Sequence, residues 1–187
     1  METKAKTAVN SAKEKMKKAL DFLESELAGI RAGKANPAIF NGVFVDYYGS
    51  QTPLAQVASI TSPDARTIII QPWEKKMINP IEKAVLQANL GFNPQNNGES
   101  IRINVPPLTE ERRKELVKKT KQEGENAKIG VRNIRRETIE TLKKYQKEGL
   151  GEDLERDFEN EVQKLTDEFI KKIDKILENK EKEIMAV

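Results

Sequence analysis

The sequence reads as an α+β protein: an elongated antiparallel three-helix bundle interrupted by a small inserted α/β domain. Three long stretches carry apolar residues at alternating spacings of four and three, the period of a helix with one buried stripe. Between the first and second of them lies a block of 67 residues, 38–104, with short β-branched and aromatic runs bounded by turn residues. No single helix can bury its own stripe, so the three pack together and the block becomes an insertion. The bundle is read as residues 1–30 and 107–187, and the inserted domain with its linkers as 31–106.

Each element has its own signal. The first helix, about 4–30, has Met16, Leu20, Leu23, Leu27 and Ile30 in one stripe, with Ala5, Ala12 and Ala19 recurring at sevens beside it. Gly33 and Pro37 in "AGKANP" end it. "GVFVDYY" (42–48) and "RTIIIQ" (66–71) read as strands, and "QVASI" (56–60) as a weaker one. "GESIRINV" (98–105) alternates Ile101, Ile103 and Val105 and reads as the last strand. "EKKMINPIEKAVLQANL" (74–90) reads as a helix with Pro80 near its start, and "LGFNPQNNG" (90–98) as a turn-rich loop. Trp73, the only tryptophan, falls at a strand-to-helix junction and is expected in the core of the small domain.

Pro106 and Pro107 cannot continue a strand and mark the return to the bundle. Thr109 is a good N-cap, and Glu110 and Glu111 suit the positive end of a helix dipole. The helix that follows runs to about 148, with Thr120, Gly124, Ala127, Val131, Ile134, Thr138, Thr141 and Tyr145 on its inner face and Gly149 closing it. The last helix, about 152–185, has Leu154, Phe158, Val162, Leu165, Phe169, Ile173, Ile176 and Ile184 in its stripe. Glu152, Asp153, Glu155 and Asp157 at its start suit the dipole there.

Composition removes whole classes of function. The chain has no cysteine and no histidine, hence no disulfide, no thiolate and no Ser-His or Cys-His arrangement. "GIRAGKA" (29–35) fails as a phosphate loop: Gly29 and Gly33 stand one residue too close, and Ala35 follows Lys34 where Ser or Thr should bind magnesium. No apolar run reaches the length of a membrane span, and "METKAKTAVNSAKEKMKK" has no signal-peptide pattern. The expectation is a cytoplasmic, monomeric protein with no cofactor, no metal and no enzymatic activity.

The charge is unevenly distributed. Residues 109–148 hold 13 Lys/Arg and 8 Asp/Glu, net +5, whereas 152–187 hold 7 and 12, net −5. On the first of these helices Lys114, Lys118, Lys121, Lys128, Arg132, Arg135, Arg136 and Lys143 fall within an arc of about 100°, interrupted by Glu125 and Ile139. Residues 126–136 contain Lys128, Arg132, Arg135 and Arg136 and no acid. One reading is a solvated helix face with acids one turn away. Another is a grip on nucleic-acid backbone, RNA above all, because guanidinium forks bind phosphate in bidentate fashion. An adaptor whose basic strip meets an acidic protein is a third. The strip lacks aromatic residues, so base stacking is not its mode.

Residues 89–137, with "PPLTEERR" and "VRNIRR" at their heart, resemble the bacterial ribosome recycling factor family. "LAGIRAGKANPAIFNGVFVDYYGSQTPLAQVASIT" (27–61) and "VQKLTDEFIKKID" near the end support the likeness, which covers essentially the whole chain. The resemblance implies an L-shaped two-domain protein with a hinge, here Ala32, Gly33, Asn104, Val105, Pro106 and Pro107. It implies binding to the post-termination ribosome and, with elongation factor G and its GTP hydrolysis, splitting into subunits. It also implies that Arg132, then Arg135, Arg136 and Lys128, with Arg31 on the same surface, contact large-subunit ribosomal RNA.

Overall fold

The computed structural model describes residues 1–30 and 34–186. The chain divides into two compact units, Met1–Ala32 with Glu110–Val187, and Gly33–Thr109.

The first unit is three helices: α1 (Glu2–Ala28), α4 (Glu110–Lys147) and α5 (Glu152–Met185), each packed on both others. At 1.5 Å per residue α4 is about 57 Å long. Ala5 and Val9 of α1 share a cluster with Leu142 of α4 and with Phe158 and Val162 of α5, so α1 runs parallel to α5 and antiparallel to α4. The α4–α5 turn has a defined geometry. Gly149 takes φ +116°, its N–H donates to Gln146 O, and Leu150 N–H reaches back to Tyr145 O at 2.9 Å. That pattern satisfies the last carbonyls of α4 and buries Leu150 against the next helix.

The buried seam on α1 is Ala5, Val9, Ala12, Met16, Leu23 and Leu27. On α4 the fully buried positions are Leu116, Thr120, Gly124, Val131, Thr138 and Leu142; Ala127, Ile134, Thr141 and Tyr145 sit at the margin. The buried threonines cost little, because Thr120 and Thr138 donate their hydroxyls to the carbonyls four residues back, Leu116 and Ile134. Gly124 has a steric role: a Cβ there would overlap the Leu177 side chain of α5. Leu154, expected in the α5 stripe, is exposed, since it lies in the first turn beyond Phe158, where the packed seam ends.

The second unit is α+β with antiparallel pairing throughout. Strands β1 (Phe44–Tyr47) and β2 (Ser50–Pro53) form a hairpin, and α2 (Leu54–Val57) is a single turn. β3 (Ala58–Asp64), β4 (Thr67–Pro72), β5 (Pro94–Asn96) and β6 (Ile101–Asn104) make a sheet in the order β3-β4-β6-β5. Ile68 faces Ile103 and Ile70 faces Ile101 across β4 and β6. These four side chains form the core with Ile78, Ile81 and Val85 of α3 (Ile78–Gln87). "QVASI" is part helical turn and part strand, and the loop at 90–98 contains β5. That strand is three residues at a sheet edge, opened by a proline, too short and polar to show a pattern. β2 is likewise a short polar edge with no strand-like composition.

Trp73 corrects an expectation: it is 70% exposed. On β4 the even positions Ile68 and Ile70 point inward, and Trp73 continues the outward phase of Gln71. Next to it, Glu74 accepts from both Tyr47 Oη at 2.8 Å and Tyr48 Oη at 2.9 Å, which holds its carboxyl below the ordinary range. The chain enters and leaves this unit side by side: Ala35 N–H donates to Ala65 O and Val105 N–H to Arg66 O, each at 2.7 Å.

Two predictions concern the bundle. Gly130 lies mid-helix with open space where a Cβ would go, so Gly130→Ala should stabilise by about 0.4–1 kcal/mol through the unfolded chain. Gly124→Val should instead destabilise by about 1–3 kcal/mol by forcing Leu177 aside; chemical denaturation of the two variants checks both signs. The second concerns Glu155, whose carboxyl is shifted up by partial burial, then by hydrogen bonding and charge from Glu159, with Lys143 and Arg156 opposing. A carboxyl with a raised folded pKa costs stability above that pKa, and the cost vanishes as pH falls to the ordinary value of 4.5. Glu155→Gln should therefore raise the melting temperature at pH 7, with the gain disappearing below pH 4.5 in a pH series of thermal melts.

Candidate nucleic-acid interface

Helix α4 presents its basic residues on the side that adjoins α5. Lys128, Arg132 and Arg135 lie 40–100° round the helix from the core residue Val131, by about 100° per residue, and the contacts of Lys128 with Asp174 and of Arg135 with Gln163 show that this is the α5 side. The acidic helix α5 therefore reaches some of them. Lys128 Nζ stands 2.6 Å from Asp174 Oδ1, and its side chain is only 20% exposed. Arg132 Nη1 lies 3.3 Å from Glu125 Oε1, two turns back along α4, and remains 44% exposed. Arg135 Nη1 donates to Gln163 Oε1 at 2.9 Å, and Gln163 Nε2 donates to Asp167 Oδ1 at 3.0 Å. Arg136 is exposed and has no ion pair or hydrogen bond among the described residues.

The four residues thus share one helix edge but not one state. The absence of acids in 126–136 does not leave all four unpaired: Glu125, which flanks the segment, pairs with Arg132, and Asp174 of the neighbouring helix pairs with Lys128. The α5 contributions follow from the hairpin. Residues at similar distances either side of Leu150 face each other, which brings Asp174 near Lys128, Gln163 near Arg135 and Glu159 near Lys143. Lys143 Nζ is 4.0 Å from Glu159 Oε1, near enough for charge attraction and too far for a hydrogen bond; that oxygen is buried with no hydrogen-bond partner. Lys114 pairs with Glu110 at 3.8 Å at the far end of the strip.

These pairs are weak obstacles to a ligand. An exposed ion pair such as Arg132–Glu125 contributes about 0–1 kcal/mol and is screened by salt. A phosphate oxygen accepts from Arg as well as a carboxylate does, so the guanidinium can exchange one for the other. Among the described residues no group of three or more acidic side chains is placed to hold a metal ion. Among them, too, no helix is long and apolar enough to cross a membrane.

Arg31, Ala32 and Gly33 lie outside the described residues. Of the other positions read as a hinge, Asn104 is the last residue of β6, opposite Thr67, and Val105 is buried in the small unit's core. Pro106 and Pro107 are exposed and belong to no helix or strand.

The sequence matches the family model described as ribosome recycling factor over residues 23–185. The ribosome-recycling factor of Parabacteroides distasonis is 57% identical over 183 residues, covering 97% of this chain and 98% of that one. That of Flavobacterium psychrophilum is 58% identical over 179 residues, covering 96% of each. The solution structure of a ribosome recycling factor superposes with a TM-score of 0.76 at 40% identity, covering 98% of both chains. A second structure, of the T. thermophilus ribosome recycling factor with E. coli elongation factor G on the E. coli post-termination complex, matches with a TM-score of 0.61 at 46% identity, over 97% of this chain and 99% of that one. With relatives more than half identical over nearly their whole length, and one family model spanning most of its residues, the chain belongs to the ribosome recycling factor family.

Proposed function

We propose that this chain recycles ribosomes: it binds the post-termination ribosome in the cytoplasm as a monomer and, with elongation factor G hydrolysing GTP, promotes separation of the subunits. The observation that carries this reading is the match along almost the full length of both chains to a relative placed with elongation factor G on a post-termination complex. In this reading the free energy of splitting is supplied by GTP hydrolysis on elongation factor G.

In this reading the bundle is the anchor. Lys128, Arg132, Arg135 and Arg136, with Arg31, bind phosphates of large-subunit ribosomal RNA. Arg136, with no partner among the described residues, does so as it stands, and Arg132 does so by releasing Glu125. Of the positions read as a hinge, Ala32 and Gly33 on the way in and Pro106 and Pro107 on the way out are the linkers about which the small unit moves; Asn104 ends β6 and Val105 N–H is bonded to Arg66 O, so both move with that unit.

Purified post-termination ribosomes should split into subunits when the chain, elongation factor G and GTP are all present, and stay joined when any one is left out. Normal splitting without this chain would refute the reading. Arg132→Ala should fold as the parent does, within about 0.5 kcal/mol. It should bind the large subunit more weakly, with a slope of log affinity against log salt shallower by about one. Unchanged affinity and slope in ribosome pelleting at several salt concentrations would remove Arg132 from the interface.

A further inference from the structure

We propose that Gln163 is a neutral positioning residue for Arg135: it fixes the direction of the guanidinium without neutralising its charge. The inference rests on the reading that Arg135 binds ribosomal RNA phosphate. Its starting point is a contrast within one helix pair. Where Lys128 meets α5, the opposing group is a carboxylate, at 2.6 Å. Where Arg135 meets α5, it is the carbonyl end of an amide, at 2.9 Å. This is the less expected choice, because residues 152–187 hold 12 acids against 7 bases.

The amide is oriented from both sides. Its oxygen accepts from Arg135 Nη1, and its nitrogen donates to Asp167 Oδ1 one turn further along α5, at 3.0 Å. With the nitrogen held by a carboxylate, the oxygen must face the cation. A guanidinium has five N–H donors in a rigid fork, and one contact through Nη1 anchors one corner of it while leaving the others for a phosphate. The acid that completes the chain, Asp167, is kept one side chain away from Arg135. A glutamate at 163 would have similar reach and would pair with Arg135 directly, as Asp174 does with Lys128. The relay lies inside "VQKLTD", a segment that no other part of the function explains. All three side chains are at the surface, so their hydrogen bonds bear on geometry far more than on stability.

The test uses the full-length chain, isolated large ribosomal subunits, binding at several salt concentrations, and thermal melts. Gln163→Glu should keep the melting temperature within about 2 °C. It should weaken binding roughly five- to tenfold at physiological salt and make the salt slope shallower by about one, since Arg135 arrives already paired. Gln163→Met, of similar length with no amide, should weaken binding less and leave the slope unchanged, because the charge remains free. In an Arg135→Ala background, Gln163→Glu should add much less than it does alone. If Arg135→Ala weakens binding but Gln163→Glu does not, or costs the same with and without Arg135, the proposal fails and the reading of Arg135 stands. If Arg135→Ala itself binds with parental affinity and slope, that reading falls and the proposal falls with it.

Discussion

The antiparallel register of α4 against α5 is the constraint on which the rest of the bundle depends. It is set at one end by the Gly149 turn and in the middle by the fit of Leu177 over Gly124. One register then places Asp174 by Lys128, Gln163 by Arg135 and Glu159 near Lys143. A slip of one helical turn would move α5 by about 5.4 Å, remaking every one of these pairs while leaving an apolar stripe to bury. The apolar seam supplies most of the stabilisation, but it repeats every turn and discriminates poorly between registers. Specificity comes from the positions that do not repeat: a glycine that admits a leucine and a buried turn residue, Leu150.

The same packing explains how a chain of nearly balanced charge keeps a basic edge. Two adjacent helices of opposite sign attract, and full pairing between them would leave a neutral surface. Pairing is instead partial. Lys128 is tied to the neighbouring helix, Arg132 is lightly held by its own helix, Arg135 meets an amide, and Arg136 meets nothing among the described residues. Along α4 from Lys128 to Arg136, over less than three helical turns, the cations pass from an ion pair between helices, through one within α4 and a contact with an amide, to a guanidinium with no partner among the described residues.

Much of this was legible in the residues alone. The three stripes, the insertion between them, the strands at 44–47, 67–72 and 101–104, and the closing Gly149 all carry strong local signals, because each depends on a period or on a backbone requirement of one residue type. The edge strands β2 and β5 carry none, since short polar strands are defined by their partners. Trp73, expected in the core from its place at a strand-to-helix junction, lies just beyond β4 on the outward phase and is exposed. The basic face was found by angular arithmetic on one helix, but its electrostatic partners were not, because Asp174 and Gln163 belong to another helix and only the hairpin register brings them across. "VRNIRR" pointed to the family, whereas the condition of Arg135 in it depends on Gln163, 28 positions away.

The small unit receives and releases the chain at adjacent residues, with Ala35 bonded to Ala65 and Val105 to Arg66. This bears on how the bundle assembles at all. Helix α1 must find α4 across roughly 80 intervening residues, and an open loop of that size carries a larger closure entropy than a short one. Once the sheet has formed, those residues act as a clasp, and the span that must be closed shrinks to about a dozen. The saving is about 1.5–2 kcal/mol by the logarithmic dependence on loop length. On this account the insertion, if it folds before the bundle closes, is also an assembly aid that brings the first helix to its partners.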